Sequence, residues 1–152
     1  MTNDPTFKRV NLCVSDLDRS LFIYRDILGF TIDYQKDSAE DSYSYTVFTF
    51  PPTAKLRFVT LNSATQKRTL ALTEVKGIDL SPMPVPRMAA AVINCPDFEE
   101  VISKVRAAGL KVIEPQALLD LDGSAKGKEG AFIDHDGHLI VIYVLNDQKV
   151  LV

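Results

Sequence analysis

The chain is poor in the residues that build metal centres and disulfides, with two cysteines, two histidines and no tryptophan among its 152 residues. Cys13 and Cys95 each fall within an apolar strand pattern, which predicts buried, reduced thiols and a cytoplasmic location. No stretch of 18 apolar residues occurs, so we expect no membrane-spanning helix. The first five residues lack the basic and apolar regions of a secretion signal, which also favours the cytoplasm.

The chain carries no excess of positive charge. Its formal net charge is -3, and lysine and arginine form no run. Proteins that bind nucleic acid usually present a basic face, so we expect no nucleic-acid partner. The length and the hydrophobic fraction of 46% fit one domain, residues 1–152, that is large enough to bury a core without metal or disulfide support.

The first half of the chain opens with alternating apolar and polar residues that lead into a helix pattern. Val10, Leu12 and Val14 share one parity, which predicts a half-buried strand with Arg9, Asn11 and Cys13 on its other face. Asp16 occupies a helix N-cap position, and Gly29 is placed to end that helix. Further strands are predicted at 30–35, 45–50, 55–61 and 69–75, with a loop at 37–44 and a turn at Pro51-Pro52.

The opening pattern returns roughly 80 residues later, with Asp97 at the cap position and Gly109 at the helix end. Strands are predicted at 110–114, 130–133 and 139–145, with a hairpin turn at 134–137 and a polar loop at 116–126. The chain is therefore predicted to contain two tandem modules. Module one covers about residues 6–75 and module two about 87–146, joined by a proline-rich linker at 76–86.

Two coupled signatures carry a family resemblance. They are Val14-Ser15-Asp16-Leu17-Asp18-Arg19-Ser20-Leu21-Phe22-Ile23-Tyr24 with Leu28-Gly29-Phe30, and Phe132-Ile133-Asp134 with Asp136-Gly137 and the strand after them. With these the chain resembles the vicinal oxygen chelate superfamily of glyoxalases, bleomycin-resistance proteins and extradiol dioxygenases. The resemblance implies an α+β fold of two βαβββ modules whose curled mixed sheets enclose a cleft, with the helices outside. It also implies a homodimer.

The family's usual metal site takes His or Gln from the first strand of a module and Glu from its last strand. By the resemblance, the first-strand positions are Arg9 and Ala90, and one last-strand position is Val141. The fourth is Ala71 if 69–75 closes module one, or Arg57 if 55–61 does. None of these side chains is a metal ligand. We therefore expect neither a metal nor another cofactor.

Both histidines lie in the last hairpin. His135 and His138 could join Asp134 and Asp136 only in an exposed and unusually placed site, so we interpret all four as turn residues. Cys13 has no histidine near it in sequence to activate it as a nucleophile.

Six residues are the predicted ligand contacts on the cleft side. An inward arginine suits a carboxylate or phosphate, although Arg9 could equally pair with a protein carboxylate such as Glu74. Tyr143 could donate a hydrogen bond or stack, or could be a core or interface tyrosine. The predicted ligand-binding residues are Arg9, Asn11, Arg57, Ala90, Val141 and Tyr143.

The sequence favours a metal-free small-molecule-binding protein that takes an amphipathic or anionic organic ligand. The alternative is a metal-dependent lyase, isomerase or dioxygenase of the same superfamily that uses atypical ligands. A metal-independent acid–base enzyme built on Tyr143 is a third possibility. The sequence does not decide whether catalysis remains, which ligand is bound, or whether modules pair within or between subunits.

Overall fold

The computed structural model describes residues 3–147, which form two compact units. The first unit contains residues 3–21 and 29–80, and the second contains residues 22–28 and 81–147. None of the helices within 3–147 is long and apolar enough to cross a membrane. Each unit is built on one four-stranded mixed sheet, which confirms the predicted α+β class.

The first unit has the sheet order β1-β4-β3-β2. Parallel pairing of β1 with β4 closes the module. Of the two segments that the sequence left open as the closing strand, 69–75 and 55–61, the structure therefore selects the first. The other pairs are antiparallel, and β2 contains a bulge between Ile32 and Tyr34. The strands are β1 (Val10–Val14), β2 (Thr31–Asp37), β3 (Lys55–Asn62) and β4 (Leu70–Lys76).

The predicted helix after β1 begins where its cap residue indicates. Helix α1 (Leu17–Leu21) starts after Asp16, whose Oδ1 accepts a hydrogen bond from the Arg19 amide at 3.0 Å. That bond is the largest cause that lowers the pKa of Asp16. The helix continues as a π-helical segment (Phe22–Ile27), and Gly29, at φ +87°, follows it in the left-handed conformation that glycine tolerates best.

The predicted strand at 45–50 is wrong, because this segment forms helix α2 (Tyr43–Phe48). The Ser42 hydroxyl accepts from the Ser44 amide at 3.3 Å, and Thr49, at φ 62°, ends the helix. Aromatic residues favour strands only where a sheet receives them. Here Tyr45 and Phe50 instead pack against a buried apolar cluster of Ala54, Leu56 and Val75.

The second unit repeats the topology with the order β5-β8-β7-β6. Its first and last strands again pair in parallel. Helix α3 (Phe98–Ala107) lies on one side of this sheet and contacts the π-helical segment within the same unit. The strands are β5 (Ala91–Asn94), β6 (Val112–Leu119), β7 (Ala125–Ile133) and β8 (Leu139–Leu145).

Two predictions about this unit are corrected. The polar loop expected at 116–126 is mostly strand, because β6 extends to Leu119 and a short turn leads directly into β7. Asp97 precedes α3, as expected, but its side chain makes no capping hydrogen bond. Its ψ of 40° lies outside the extended region that capping residues usually adopt, so the carboxylate does not reach the free amides.

The predicted hairpin turn at 134–137 is confirmed, and it contains a buried carboxylate. Asp134 Oδ1 accepts from the backbone amides of Asp136 and His138 at 3.0 and 2.8 Å. Its Oδ2 accepts from the Tyr24 hydroxyl at 2.6 Å. Burial, and then the charge of Asp134, raise the pKa of Tyr24 well above its usual value. Asp134 therefore fastens the π-helical segment to this hairpin.

Candidate functional site

The face of the first sheet that carries Asn11 is the first candidate surface. Asn11 lies beside Ala71, and Ala71 lies beside Thr60, so the three form one cross-strand row. The next row along the same face contains Cys13, Thr73 and Phe58. We call this surface the Asn11 face. Its members are Asn11, Cys13, Phe58, Thr60, Ala71 and Thr73.

The Asn11 face is polar at its centre although much of it is buried. The Thr73 hydroxyl donates to Asn11 Oδ1 at 2.9 Å, so the amide oxygen is engaged and Nδ2 is the donor of this side chain. Thr60 is 2% exposed, and its Oγ1 has no hydrogen-bond partner among the described residues. A buried hydroxyl without a hydrogen-bond partner is costly to the folded state.

One end of the Asn11 face is closed by apolar packing. Cys13 and Tyr45 pack against the cluster of Ala54, Leu56 and Val75. The Tyr45 hydroxyl also donates to the Ala54 carbonyl oxygen at 2.8 Å. Helix α2 therefore covers this end of the face. Cys13 is a packing residue here, in keeping with the structural thiol that the sequence favours.

Arg9 directly precedes β1 and continues the alternation that places Asn11 and Cys13 on one face. Its Nε donates to the carbonyl oxygen of Arg68 at 3.1 Å, and Arg68 is itself held by Asp33 at 2.6 Å. The hydrogen bond from Arg68 lowers the pKa of the Asp33 carboxyl group. The two Nη groups of Arg9 have no acceptor within residues 3–147. The backbone carbonyl thus orients a guanidinium that can still bind an anion.

Arg57 lies on the opposite face of the sheet, in the row with Val14 and Glu74. Its Nη2 is 3.2 Å from Glu74 Oε2, the same oxygen that accepts from the Leu17 amide at 2.6 Å. Arg57 therefore supports the start of α1, and the structure does not bring it together with Asn11. The register explains the difference, because β4 and not β3 closes the module. The fourth family position is Ala71.

The second candidate surface lies on the side of the second sheet opposite α3. Lys128 of β7 reaches Glu99 of α3, so its neighbour Glu129 points away from that helix. We call this surface the Tyr143 face. It has a polar row of Asn94, Tyr143, Glu129 and Gln116 and an apolar row of Val92, Val141, Ala131 and Ile113.

Three predicted contacts belong to the Tyr143 face. Val141 and Tyr143 are half-buried, and Ala90 is an exposed residue just before β5. Val92, beside Val141, is 64% exposed. The row that contains Val141 is therefore apolar and partly exposed at Val92.

Sequence reasoning missed the polar partners on both faces. Gln116 Nε2 donates to Glu129 Oε1 at 2.9 Å, and Glu129 has no lysine or arginine partner within the described part of the chain. The turn sequence at 120–124, with Asp122 and Gly123, could have indicated the β6–β7 hairpin that aligns these two residues. Nothing in the sequence indicated that the Thr60 hydroxyl is unpaired, because that depends on strand register.

The donor set does not fit the divalent metal that the resemblance implies. By the resemblance, the four family positions fall on a cation and three hydrocarbon side chains, namely Arg9, Ala71, Ala90 and Val141. Metal sites of this kind require imidazole, thiolate or carboxylate donors. Over residues 3–147, moreover, no three His, Cys, Asp or Glu side chains are grouped to hold a metal ion. Asp134 is already committed to three hydrogen bonds.

The chain is similar in fold to several solved proteins. A glyoxalase family protein from Bacillus cereus has a TM-score of 0.72 and 12% identity, covering 95% of this chain and 98% of that one. An antibiotic-binding protein from Streptomyces sp. CB03234 has a TM-score of 0.59 and 14% identity, over 96% and 100% of the two chains. At these identities the likeness concerns the fold alone.

A fosfomycin resistance protein from Listeria monocytogenes, solved with Mn(II) and sulfate, has a TM-score of 0.58 and 15% identity over the full length of both chains. No curated protein matches the sequence. The family model of the Glyoxalase/Bleomycin resistance protein/Dioxygenase superfamily matches residues 6–142. The match covers both modules and includes both signatures, from Val14 and from Phe132. The chain therefore belongs to the glyoxalase/bleomycin resistance protein/dioxygenase superfamily.

Proposed function

We propose that this protein binds a small amphipathic or anionic organic ligand without a metal at the family's usual metal positions. The observation that carries the proposal is the replacement of all four positions by Arg9, Ala71, Ala90 and Val141. Polar side chains lie beside two of these positions, since Asn11 and Thr60 flank Ala71 and Tyr143 follows Val141 on the same face.

The proposed contacts lie on both candidate faces. On the first unit they are Arg9, whose Nη groups are available to an anion, and Asn11, whose amide can orient a ligand. On the second unit they are Ala90, Val141 and Tyr143, which combine hydrocarbon surface with one hydroxyl. An anionic group matches the first set of contacts, and the apolar part of an organic ligand matches the second. Arg57 is omitted because it supports Glu74.

The related antibiotic-binding protein from Streptomyces and the fosfomycin resistance protein from Listeria favour the sequestering or resistance type of function. We therefore propose aromatic antibiotics and organic acids as the first ligand classes to test. The superfamily alternative, a metal-dependent lyase, isomerase or dioxygenase with atypical ligands, predicts instead that activity appears only with a bound metal.

A thermal-shift screen of organic acids and aromatic antibiotics tests the proposal. A ligand at one hundred times its dissociation constant stabilises the native state by about 2.7 kcal/mol, which is a clear rise in Tm. Arg9→Ala should reduce the shift for anionic compounds while the unliganded Tm changes little, because Arg9 is at the sheet edge. Lys111→Ala, an exposed lysine, is the matched control.

A screen without any stabilising compound would argue against ligand binding. Equal shifts for the parent protein and for Arg9→Ala would remove Arg9 from the site while leaving the function intact. Stabilisation that requires added divalent metal would favour the enzyme alternative.

We also propose a cytoplasmic homodimer. Cys13 and Cys95 form no disulfide, as a reducing compartment permits. The second unit exposes apolar side chains that a second copy can cover, among them Met88 at 93% and Val85 at 75%. Light scattering after gel filtration should give twice the 16.9 kDa chain mass. A Met88→Lys variant that remains dimeric would exclude Met88 from the contact, and a monomeric parent would refute the dimer.

A further inference from the structure

We infer that Arg68 is a positioning residue whose backbone carbonyl oxygen, held in place by the β3–β4 hairpin and by Asp33, orients the Arg9 guanidinium toward an anionic ligand group. The inference rests on the proposed function and specifies how the first unit orients its cation. Three observations carry it. They are the backbone conformation of Arg68, the side chains that hold Arg68, and the hydrogen bond that its carbonyl oxygen accepts from Arg9.

The backbone of Arg68 is strained. Its φ of 53° lies in the left-handed region, where the Cβ of a side chain crowds the backbone. Hairpin loops that need this conformation usually place glycine or asparagine there. An arginine remains in such a conformation only where the surrounding contacts fix it, and strained residues of this kind occur preferentially at functional sites.

The contacts of Arg68 fix both its backbone and its side chain. Its amide donates to Asn62 Oδ1 at 2.7 Å, and its Nε donates to Asp33 Oδ2 at 2.6 Å. Asn62 Nδ2 donates to the other carboxylate oxygen of Asp33 at 3.1 Å, so the two partners of Arg68 also hold each other. The Arg68 guanidinium lies 5.9 Å from the centre of the Tyr34 ring, within the range of a cation–π contact.

Asp33 reaches these partners from a bulge in β2. The register of β2 against β3 shifts between Ile32 and Tyr34, which makes Asp33 the extra residue of the bulge. A bulge redirects a side chain relative to the regular strand, and bulges are common beside functional sites. The bulge and the strained Arg68 are thus two local departures from regular structure that act on one carbonyl oxygen.

The carbonyl oxygen of Arg68 accepts from Arg9 Nε at 3.1 Å. The Val10 amide donates to the Thr69 carbonyl oxygen at 3.4 Å, so the start of β1 is tied to the same end of the hairpin. A guanidinium is planar, and a bond at Nε therefore fixes the direction of both Nη groups. Two fixed Nη groups suit bidentate recognition of a carboxylate, and orientation before binding reduces the entropy that binding costs.

A matched pair of substitutions at position 68 tests the backbone role. Arg68→Gly and Arg68→Val both remove the side chain, but only glycine adopts positive φ without strain. The first readout is exchange of the Arg9 Nε proton with water, followed by NMR and assigned by its loss in Arg9→Lys. Exchange in Arg68→Gly should stay close to that in the parent protein, and exchange in Arg68→Val should be at least about tenfold faster.

The second readout is the dissociation constant of benzoate, measured by NMR titration. Benzoate binding should weaken about three- to tenfold in Arg68→Val and stay within about twofold of the parent in Arg68→Gly. Backbone amide spectra establish that each variant is folded. Equal benzoate affinities in the two variants would overturn the inference.

Asp33→Ala provides a test that does not depend on Arg68→Val being folded. Removal of a negative charge near an anion site should by electrostatics alone strengthen benzoate binding. Loss of the group that holds Arg68 should instead weaken it, and we expect a weakening of about threefold. Asp37→Ala, which removes an exposed carboxylate from the same strand, is the matched control and should not weaken binding. Tighter benzoate binding in Asp33→Ala would contradict the positioning role.

The outcomes separate the inference from the function on which it rests. If the Arg9 Nε proton exchanges equally fast in both position-68 variants, Arg68 does not orient Arg9 and the inference is wrong, whether or not ligands bind. If screened compounds stabilise the parent but benzoate does not bind it, or binds Arg68→Val equally well, the inference is wrong and the binding function stands. If no screened compound binds the parent, both fail.

Discussion

The two units share one sheet topology but present different surfaces. In the first, the Asn11 face is largely buried, and its centre holds hydroxyl and amide groups around Ala71. In the second, the equivalent Tyr143 face is open, with Val92 64% exposed beside half-buried Val141. The same strand order thus carries a largely buried face with a polar centre in one module and a more exposed apolar row in the other. The side chains, and not the topology, determine the chemistry of each module.

The units also use buried carboxylates differently. Glu74 accepts from the first turn of α1 and pairs with a partly exposed arginine in the first unit. Asp134 accepts from a tyrosine hydroxyl and two backbone amides in the second. Because Asp134 accepts from three donors, including the buried Tyr24 hydroxyl, the second unit should depend more strongly on its carboxylate.

The largest difference between the units is expected in the reactivity of their thiols, because each unit contains one cysteine. Burial, and then the charge of Asp97, raise the pKa of Cys95 from 9.0 to about 12. Its thiolate fraction at pH 8 is therefore about a thousandfold lower than that of an ordinary cysteine. An Ellman assay of the native protein should find at most one reactive thiol, the half-buried Cys13, and two after unfolding. Cys13→Ser should leave none in the native state, and a fast second thiol would contradict the burial of Cys95.

Removal of each buried carboxylate should give the next largest difference between the units, in the free energy of unfolding. Asp134→Ala leaves the Tyr24 hydroxyl and two amides without acceptors, so the free energy of unfolding should fall by about 4 kcal/mol. Glu74→Ala should cost about 2 kcal/mol, because one amide loses its acceptor and the lost ion pair involves an Arg57 side chain that is 34% exposed. Urea denaturation measures both, with the exposed Asp79→Ala as control. Equal losses would refute the proposed difference between the units.

The two helix starts give a smaller contrast. Asp16 accepts a capping bond and Asp97 does not, so Asp16→Ala should cost about 1 kcal/mol and Asp97→Ala only a few tenths. Denaturation at pH 7 measures the difference. A loss at Asp97 as large as that at Asp16 would mean that its carboxylate caps α3 in solution.

The contribution of Asp16 should depend on pH in a defined direction. Its folded pKa is lowered from 3.8, mainly by the Arg19 amide, so its ionised form binds better in the native state. The stabilisation is therefore complete above the unfolded pKa and disappears as the pH falls through the lower folded pKa. The stability gap between the parent and Asp16→Ala should be constant from pH 5 to 7 and shrink below about pH 4. A gap that grows in acid would contradict this.

Local signals predicted the parts of the fold that local physics controls. Asp16 precedes the first helical region and Gly29 follows it, as expected. The turn that begins at Asp134 forms the last hairpin, also as expected. The strand predicted at 45–50 is wrong because packing of Tyr45 on the Ala54 cluster overrides the strand preference of this segment. Strand alternation likewise predicted that Asn11 and Cys13 share one face of β1. The face that carries Arg57 could not be predicted without the strand pairing, which is a long-range property.

Elemental analysis of protein purified without chelators tests most directly the claim that the family's metal positions have become an organic-ligand surface. The replaced positions predict well under about one tenth of an equivalent of nickel, zinc, iron or manganese per chain, with ligand stabilisation unchanged by EDTA. One equivalent of any of these metals, retained through gel filtration and required for ligand stabilisation, would contradict the account.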